Sequence, residues 1–264
     1  MKKYKLGILG VGKMGGSILG GIISSNIYSK DDVFLYDIND EIKNKYCDID
    51  FAMSEKELVE NVEMLLLAIK PQFLNSLKET LFSVKDLTII SVVAGKTEQD
   101  LEEIFGKQKF IRVMPNTPAL INYGATAITR GENIDDETFT KVKKIFESIG
   151  FVKEIPSNLI NEVIPVNGSM PAFLYYFVKS FVDKAVKDGL EYEVALELAC
   201  KSIIGSCKMI LKSGKPIDEL ITDVCSPKGA TLEGLKVFYE NNTDKVIEKV
   251  SSETIKRAYE LSKI

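Results

Sequence analysis

Histidine is absent from all 264 residues. That removes every mechanism in which an imidazole serves as general acid or base at neutral pH. Malate- and lactate-type dehydrogenases need such a histidine, and serine-hydrolase triads need one as well. Cysteine is scarce: there are four, at Cys47, Cys200, Cys207 and Cys225. They form no C-x-x-C pair, so no structural zinc site, and no metal site of any kind, is expected. Scattered cysteines without a disulfide framework suit a reducing compartment. Long apolar runs are also lacking. The longest strongly apolar stretch, Met64 to Ile69, is far short of the ~20 residues that span a bilayer. The start, Met1-Lys2-Lys3-Tyr4-Lys5, is charged but leads into no apolar core or small-residue cleavage site, so no signal peptide is expected. A soluble, cytoplasmic protein follows. Finally, there is no excess of positive charge. Against 34 basic residues stand 38 acidic ones, for a net charge of −4. The lysines are interleaved with acids, so no nucleic-acid surface is expected.

What is present is ordinary globular material, with 45% hydrophobic and 27% charged residues. The first half alternates short apolar runs with amphipathic ones. Lys5–Leu9, Val33–Tyr36, Met64–Ile69, Leu87–Val93 and Phe110–Met114 read as buried strands. Met14–Ser24, Glu55–Asn61, Phe73–Leu81 and Glu98–Phe105 read as helices between them. Short continuous apolar strands alternating with helices predict a mostly parallel, doubly wound sheet covered on both faces. Ala125–Thr129 and Phe151–Ile155, flanking a helix over Asp135–Ser148, are placed to extend it.

After Pro156 the character changes, and no strand is predicted from Ser157 to Ile264. The expected organisation is a Rossmann domain over residues 1–156 and an all-α domain over 157–264. Phe173, Leu174, Phe177, Val178, Phe181 and Val182 recur at helical spacing and read as a core stripe. Glu191–Leu211 is apolar around most of its circumference. A helix of that kind is buried in a large core or in a subunit interface. A domain of about a hundred residues has little interior to offer, so an interleaved homodimer is predicted.

The chemistry-bearing motif is Gly10-Val11-Gly12-Lys13-Met14-Gly15, a G-x-G-x-x-G between the first strand and the first helix. The first glycine permits the tight turn, the second lets backbone approach a pyrophosphate, and the third allows helix and strand to pack closely. The helix start offers N–H groups and the positive dipole end to phosphates. Asp37 closes the second strand, where a carboxylate accepts hydrogen bonds from the ribose hydroxyls of NAD and repels the 2′-phosphate of NADP. Asp40 and Glu41 add to that field, Lys43 and Lys45 partly offset it, and no arginine is near. The balance favours NADH over NADPH. Further strand ends should border the cofactor: Ala68, Lys70 and Pro71 after the third long strand, Ala94 after the next, and Asn116 after the one beyond. Lys70 is placed to face phosphate or ribose, and Asn116 to hydrogen-bond near the nicotinamide.

Taken in order, these segments resemble the pyrroline-5-carboxylate reductase family. The residues that carry the likeness are Ile8–Gly15, Lys70-Pro71-Gln72, Arg112–Ala119, Gly168–Phe173, Lys187–Leu190 and the loop Val224-Cys225-Ser226-Pro227-Lys228-Gly229-Ala230-Thr231 with Leu232–Leu235. The resemblance that these segments anchor runs over most of residues 4 to 262. The resemblance implies a Rossmann domain followed by a helical dimerisation domain, and hydride transfer from NADH or NADPH to the imine carbon of a five-membered ring. It implies that Thr231 hydrogen-bonds the ring nitrogen. The N–H groups around Gly229, Ala230 and Thr231 would hold the substrate carboxylate, with Ser226, Lys228, Ser169 and Met170 also lining the substrate. An anion at a helix start makes physical sense independently. The missing histidine fits too, because a cyclic imine is basic enough to be substantially protonated near neutral pH.

The chain departs from the family pattern at several places. The first of two consecutive glycines in the late loop is Lys228. Asn167 and Met170 stand in the segment expected as Ser-Gly-Ser-Gly-Pro-Ala-Tyr. Lys179 replaces an acid, Ile164 a threonine, and Glu55 an asparagine. Other functions remain open at this level. A reductase of a different cyclic imine would fit the changes around the substrate loop. A β-hydroxyacid dehydrogenase would use a lysine such as Lys179 or Lys184. A regulatory protein would bind the dinucleotide without turnover.

Overall fold

The computed structural model describes residues 4–82, 84 and 86–262. The charged start Met1–Lys3 lies outside the described residues. The first half builds an eight-stranded sheet in the order β3-β2-β1-β4-β5-β6-β7-β8. In chain order its strands are β1 (Tyr4–Leu9), β2 (Val33–Tyr36), β3 (Asp50–Phe51), β4 (Val62–Leu67), β5 (Thr88–Ser91), β6 (Lys109–Met114), β7 (Gly124–Arg130) and β8 (Gly150–Glu154). All pairs are parallel except β6 with β7. The helices between strands are α1 (Lys13–Ser24), α2 (Asp40–Lys45), α3 (Glu55–Glu60), α4 (Lys78–Phe82), α5 (Glu98–Phe105) and α6 (Asp136–Glu147). The helix expected over Phe73–Leu81 is instead two 3-10 turns, Pro71–Phe73 and Asn75–Leu77, running into α4. Proline at the first position supplies no N–H, and the run is too short for a full set of i→i−4 bonds.

Successive strand residues feed opposite layers. Leu66, Ile90 and Ile111 pack with Ile18, Ile22 and Phe146 on one face. Leu65, Leu67, Ile89 and Phe110 pack with Leu58, Leu101 and Phe105 on the other. This period-2 alternation, apolar on both sides, explains why the strands read as unbroken apolar runs. Several helix starts are closed by side chains. Ser54 accepts from Glu57 N–H at 3.2 Å, Asp135 from Thr138 N–H at 2.8 Å, and Thr97 with Asp100 forms a reciprocal capping box.

The second half is helical, with α7 (Met170–Lys187), α8 (Tyr192–Lys212), α9 (Ile217–Val224), α10 (Ala230–Glu240) and α11 (Thr243–Ser262). By packing, the chain divides into one unit of residues 1–171 with 253–264 and another of residues 172–252. The strands end near Pro156, but Ile160 and Ile164 still pack with Met114, Ala127 and Ala258. The change in secondary structure and the change in packing are thus different boundaries.

The second unit corrects one expectation. The stripe on α7 is not a core within the chain: Phe177 is 46% exposed and Phe181 53%, and Val182 alone of that stripe is buried. Along α8 only Ala195 is buried, while Leu198, Ile204 and Leu211 lie open.

Candidate functional site

The strand order reverses direction between β1 and β4, so their carboxyl ends diverge and leave a crevice. Gly10 leaves β1 with φ +91°, a left-handed conformation that costs glycine little. A Cβ on Gly10 would lie 2.7 Å from the Ala68 carbonyl oxygen, and one on Gly15 only 2.0 Å from that of Gly10. Gly15 therefore sets how closely α1 rests on the strand turn. Gly12 is different: a Cβ there would meet nothing within 4 Å. It faces open space at the N-cap of α1, where no side chain caps the helix and no acid occupies the first turn. This is the cradle a pyrophosphate requires, free N–H groups with no side chain in the way. The residues present fit a dinucleotide.

A cleft of about 300 Å³ continues from this turn, and Gly10, Gly12, Tyr36, Asp37, Ile38, Glu55, Ala68 and Lys70 lie along it. The Asp37 carboxylate is held firmly. One oxygen accepts from Val11 N–H at 2.7 Å and the other from Asn39 N–H at 2.9 Å. Asp37 thus ties the glycine turn to the end of β2, and each oxygen keeps a lone pair that these bonds do not use. Glu55, at the first turn of α3, brings a second carboxylate to the same cleft. Burial, then the Glu55 carboxylate, pushes the Tyr36 phenol up. Lys43 is drawn away to Asp40 at 2.9 Å. Among the described residues that line this cleft, Lys70 is the one cation.

The remaining cofactor candidates are distributed around the crevice. Lys13 lines a neighbouring groove beside Gly12, with Lys45 and Tyr46. The Met14 side chain packs toward the core. Pro71 opens the 3-10 turn that follows Lys70. Ala94 is exposed beyond the end of β5, next to Gly95 at φ +82°. Asn116 is buried and turned inward. Its Oδ1 accepts from Ala125 N–H at 2.9 Å and its Nδ2 donates to the Asn167 carbonyl at 3.4 Å. Asn167 in turn donates to the Met114 carbonyl at 3.0 Å. The amide of Asn116 therefore braces the end of β6 against the segment leading to Ser169 and Met170, which open α7. Tyr36, Ile38, Glu55, Phe73 and Ser76 line the cleft without having been expected there. Glu55 was visible in the sequence as a departure, but only folding brings it beside Asp37.

Within the second unit, Ser226, Pro227, Lys228 and Gly229 form a tight turn closed by Gly229 N–H donating to the Ser226 carbonyl at 2.9 Å. Proline in the second place and Lys228 at φ +61° in the third make it the turn type that normally calls for glycine in that third place. Gly229 then serves as the N-cap of α10, without a side-chain cap. A Cβ on Gly229 would meet Ser226 Oγ at 2.3 Å. The turn thereby delivers the N–H groups of Ala230 and Thr231 uncapped at the helix start, with the exposed Thr231 hydroxyl beside them. This arrangement suits a carboxylate.

The lysines that a hydroxyacid dehydrogenase would employ are engaged elsewhere. Lys184 pairs with Asp188 at 2.5 Å. Lys179 is exposed and bound to Asp183, whose hydrogen bond raises its pKa. A lysine held protonated in solvent is a poor general base. Among the described residues no group of His, Cys, Asp and Glu is arranged to hold a metal ion, all four cysteines are free, and no helix is long and apolar enough to cross a membrane.

A family model for pyrroline-5-carboxylate reductase dimerisation matches residues 157–261, and one for NADP oxidoreductase, coenzyme F420-dependent, matches residues 5–95. The pyrroline-5-carboxylate reductase of Escherichia coli (strain K12) is 32% identical over 265 residues, covering 98% of each chain. Among solved structures, the pyrroline carboxylate reductase of Plasmodium falciparum with NADP bound superposes with a TM-score of 0.87 at 30% identity, over 99% of each chain. The 1-pyrroline-5-carboxylate reductase of Streptococcus pyogenes gives 0.88 at 27% identity, over 97% of this chain and 98% of that one.

Proposed function

The chain belongs to the pyrroline-5-carboxylate reductase family, and from that premise we propose that it reduces the imine of 1-pyrroline-5-carboxylate to proline, using a reduced nicotinamide dinucleotide. The single observation that carries this reading is that one chain has an uncapped, glycine-led helix start in each of its two units. The α1 start is cleared by Gly12 for a pyrophosphate, and the α10 start is delivered by the Ser226–Gly229 turn for a carboxylate. When bound, the dinucleotide supplies the hydride that adds to the imine carbon.

The residues of the chain do the rest. Gly10, Gly12 and the first N–H groups of α1, from Lys13 to Gly15, hold the pyrophosphate. Asp37 accepts from the adenosine ribose. The N–H groups of Ala230 and Thr231 hold the ring carboxylate, and the Thr231 hydroxyl faces the ring nitrogen. No histidine is required, because the iminium already carries its proton, and catalysis is chiefly the positioning of two reactants. NADH is the preferred cofactor in this reading. Asp37 and Glu55 both line the cleft, and among the described lining residues Lys70 alone opposes them. A 2′-phosphate would add charge to an already negative site.

A homodimer completes the account. In the second unit Val182 and Ala195 are the only buried apolar side chains described, while Tyr176, Phe181, Leu198, Ile204, Leu211 and Val246 stand open. So much uncovered apolar surface marks an interface rather than a monomer's exterior. A symmetry-related copy is the natural cover. The free cysteines support a cytoplasmic location, since that compartment keeps thiols reduced.

The test is the oxidation of NADH and of NADPH by the purified protein with pyrroline-5-carboxylate, followed by absorbance. Turnover that is faster with NADH at matched concentrations supports both parts of the reading. Tight dinucleotide binding without turnover would instead favour the regulatory alternative.

A further inference from the structure

Lys228 occupies a backbone position that works against it. At φ +61° an L side chain is crowded, and the third place of this turn is one where glycine costs nothing. A residue held in an unfavourable conformation at a ligand-binding turn calls for a functional reason. The surroundings supply one. The neighbouring acids are already committed: Glu233, in the first turn of α10, pairs with Lys236 at 2.6 Å, and Asp223 pairs with Lys215 at 2.8 Å. Among the described residues no carboxylate pairs with the Lys228 ammonium. An exposed lysine therefore stands one residue before the N-cap of α10, whose first N–H groups, those of Ala230 and Thr231, no side chain caps. Its charge and the helix dipole act on an anion there with the same sign.

Resting on the reductase reading, we propose that Lys228 is a specificity determinant for the substrate carboxylate, retained at the expense of turn stability. The ammonium strengthens binding of ring imines that bear a carboxylate and does nothing for a carboxylate-free ring. The interaction is solvent-exposed, so it is modest and salt-dependent.

The experiment compares the full-length protein with Lys228→Gly and Lys228→Arg, at fixed protein concentration and low salt. For Lys228→Gly, KM for pyrroline-5-carboxylate is expected to rise roughly three- to fivefold, with the effect on KM rather than kcat, while Lys228→Arg restores it. KM for the carboxylate-free 1-pyrroline should respond to neither change. Raising salt toward 1 M should erase the difference between the unsubstituted protein and Lys228→Gly. Over the same series Lys228→Gly should melt a few degrees higher, because the left-handed position suits glycine. Equal KM values for the carboxylate substrate in the unsubstituted and glycine forms would overturn the proposal. A parallel change in KM for 1-pyrroline would overturn it as well. Binding of cyclopentanecarboxylate, a ring carboxylate that cannot be reduced, separates the two levels of the argument. If the unsubstituted protein turns over no imine, the reductase reading fails, and weaker binding of this probe by Lys228→Gly still decides the role of the lysine.

Discussion

The Asp37 carboxylate braces the glycine turn through Val11 N–H and lines the cleft, and in the proposed reading it also accepts from the ribose. Asp37→Ala should therefore shift the NADPH-to-NADH ratio of kcat/KM toward NADPH by about tenfold, or roughly 1.4 kcal/mol. Stability should fall by about 1 kcal/mol, since a part-buried N–H loses its acceptor. An unchanged cofactor ratio would show that the acid is structural only. Thr231→Ala should lower kcat/KM on the order of a hundredfold, the size of a lost catalytic hydrogen bond or proton-transfer contact, with dinucleotide affinity untouched. The pH profile has a sign as well. With no histidine in the chain, the group that titrates near neutrality is the substrate imine, so kcat/KM should fall as pH rises and the iminium loses its proton. A second inflection on the acid side near pH 6.5, the ordinary histidine value, would have no residue to explain it. At this scale the sequence was legible where chemistry is local. The glycines and Asp37 announce themselves by spacing. Glu55 and Tyr36 did not, since only the sheet brings α3 and β2 to one cleft. The partners of the Asn116 amide were not legible either, since Ala125 lies on the next strand and Asn167 is 51 residues away.

Among the elements, α1 and α10 carry the account because both begin at an uncapped glycine. The three motif glycines can be told apart by experiment. Gly15→Ala drives a methyl into the Gly10 carbonyl, so it should destabilise the protein by about 1–3 kcal/mol and loosen dinucleotide binding with it. Gly12→Ala meets no protein atom, so its melting temperature should stay within a few degrees while dinucleotide affinity drops at least tenfold. Calorimetry and thermal melts on the two variants give the comparison. Equal affinity losses with equal stability losses would mean that Gly12 too is structural. The late turn was partly legible, because Ser-Pro-x-Gly signals a turn, while the left-handed φ of Lys228 emerged only from the backbone. The 3-10 turns after Lys70 were read as a helix, since apolar spacing alone does not register the constraint that Pro71 imposes.

The whole molecule is legible in its layers and only half legible in its assembly. Strands buried on both faces produce unbroken apolar runs, so the parallel sheet could be read directly. The stripe of Phe177 and Phe181 has the same helical spacing whether it faces its own core or another subunit, and the structure leaves it uncovered. The apolar circumference of α8 pointed to the second answer. Light scattering should therefore give a mass of at least twice 29.4 kDa. Leu198→Lys together with Ile204→Lys, which places charge in that face, should dissociate the assembly and lower the melting temperature by many degrees. A monomeric unsubstituted protein, or a double variant that assembles and melts as the unsubstituted protein does, would contradict the interface.

The most direct measurement follows the hydride itself. The protein is incubated with pyrroline-5-carboxylate and with NADH deuterated at nicotinamide C4 on one face and then the other, and the proline formed is read by mass spectrometry and NMR. The account requires deuterium at proline C5, the former imine carbon, from one face only. Proline without deuterium from both labelled forms, or no proline alongside a labelled hydroxy acid from a keto acid supplied in parallel, would contradict it.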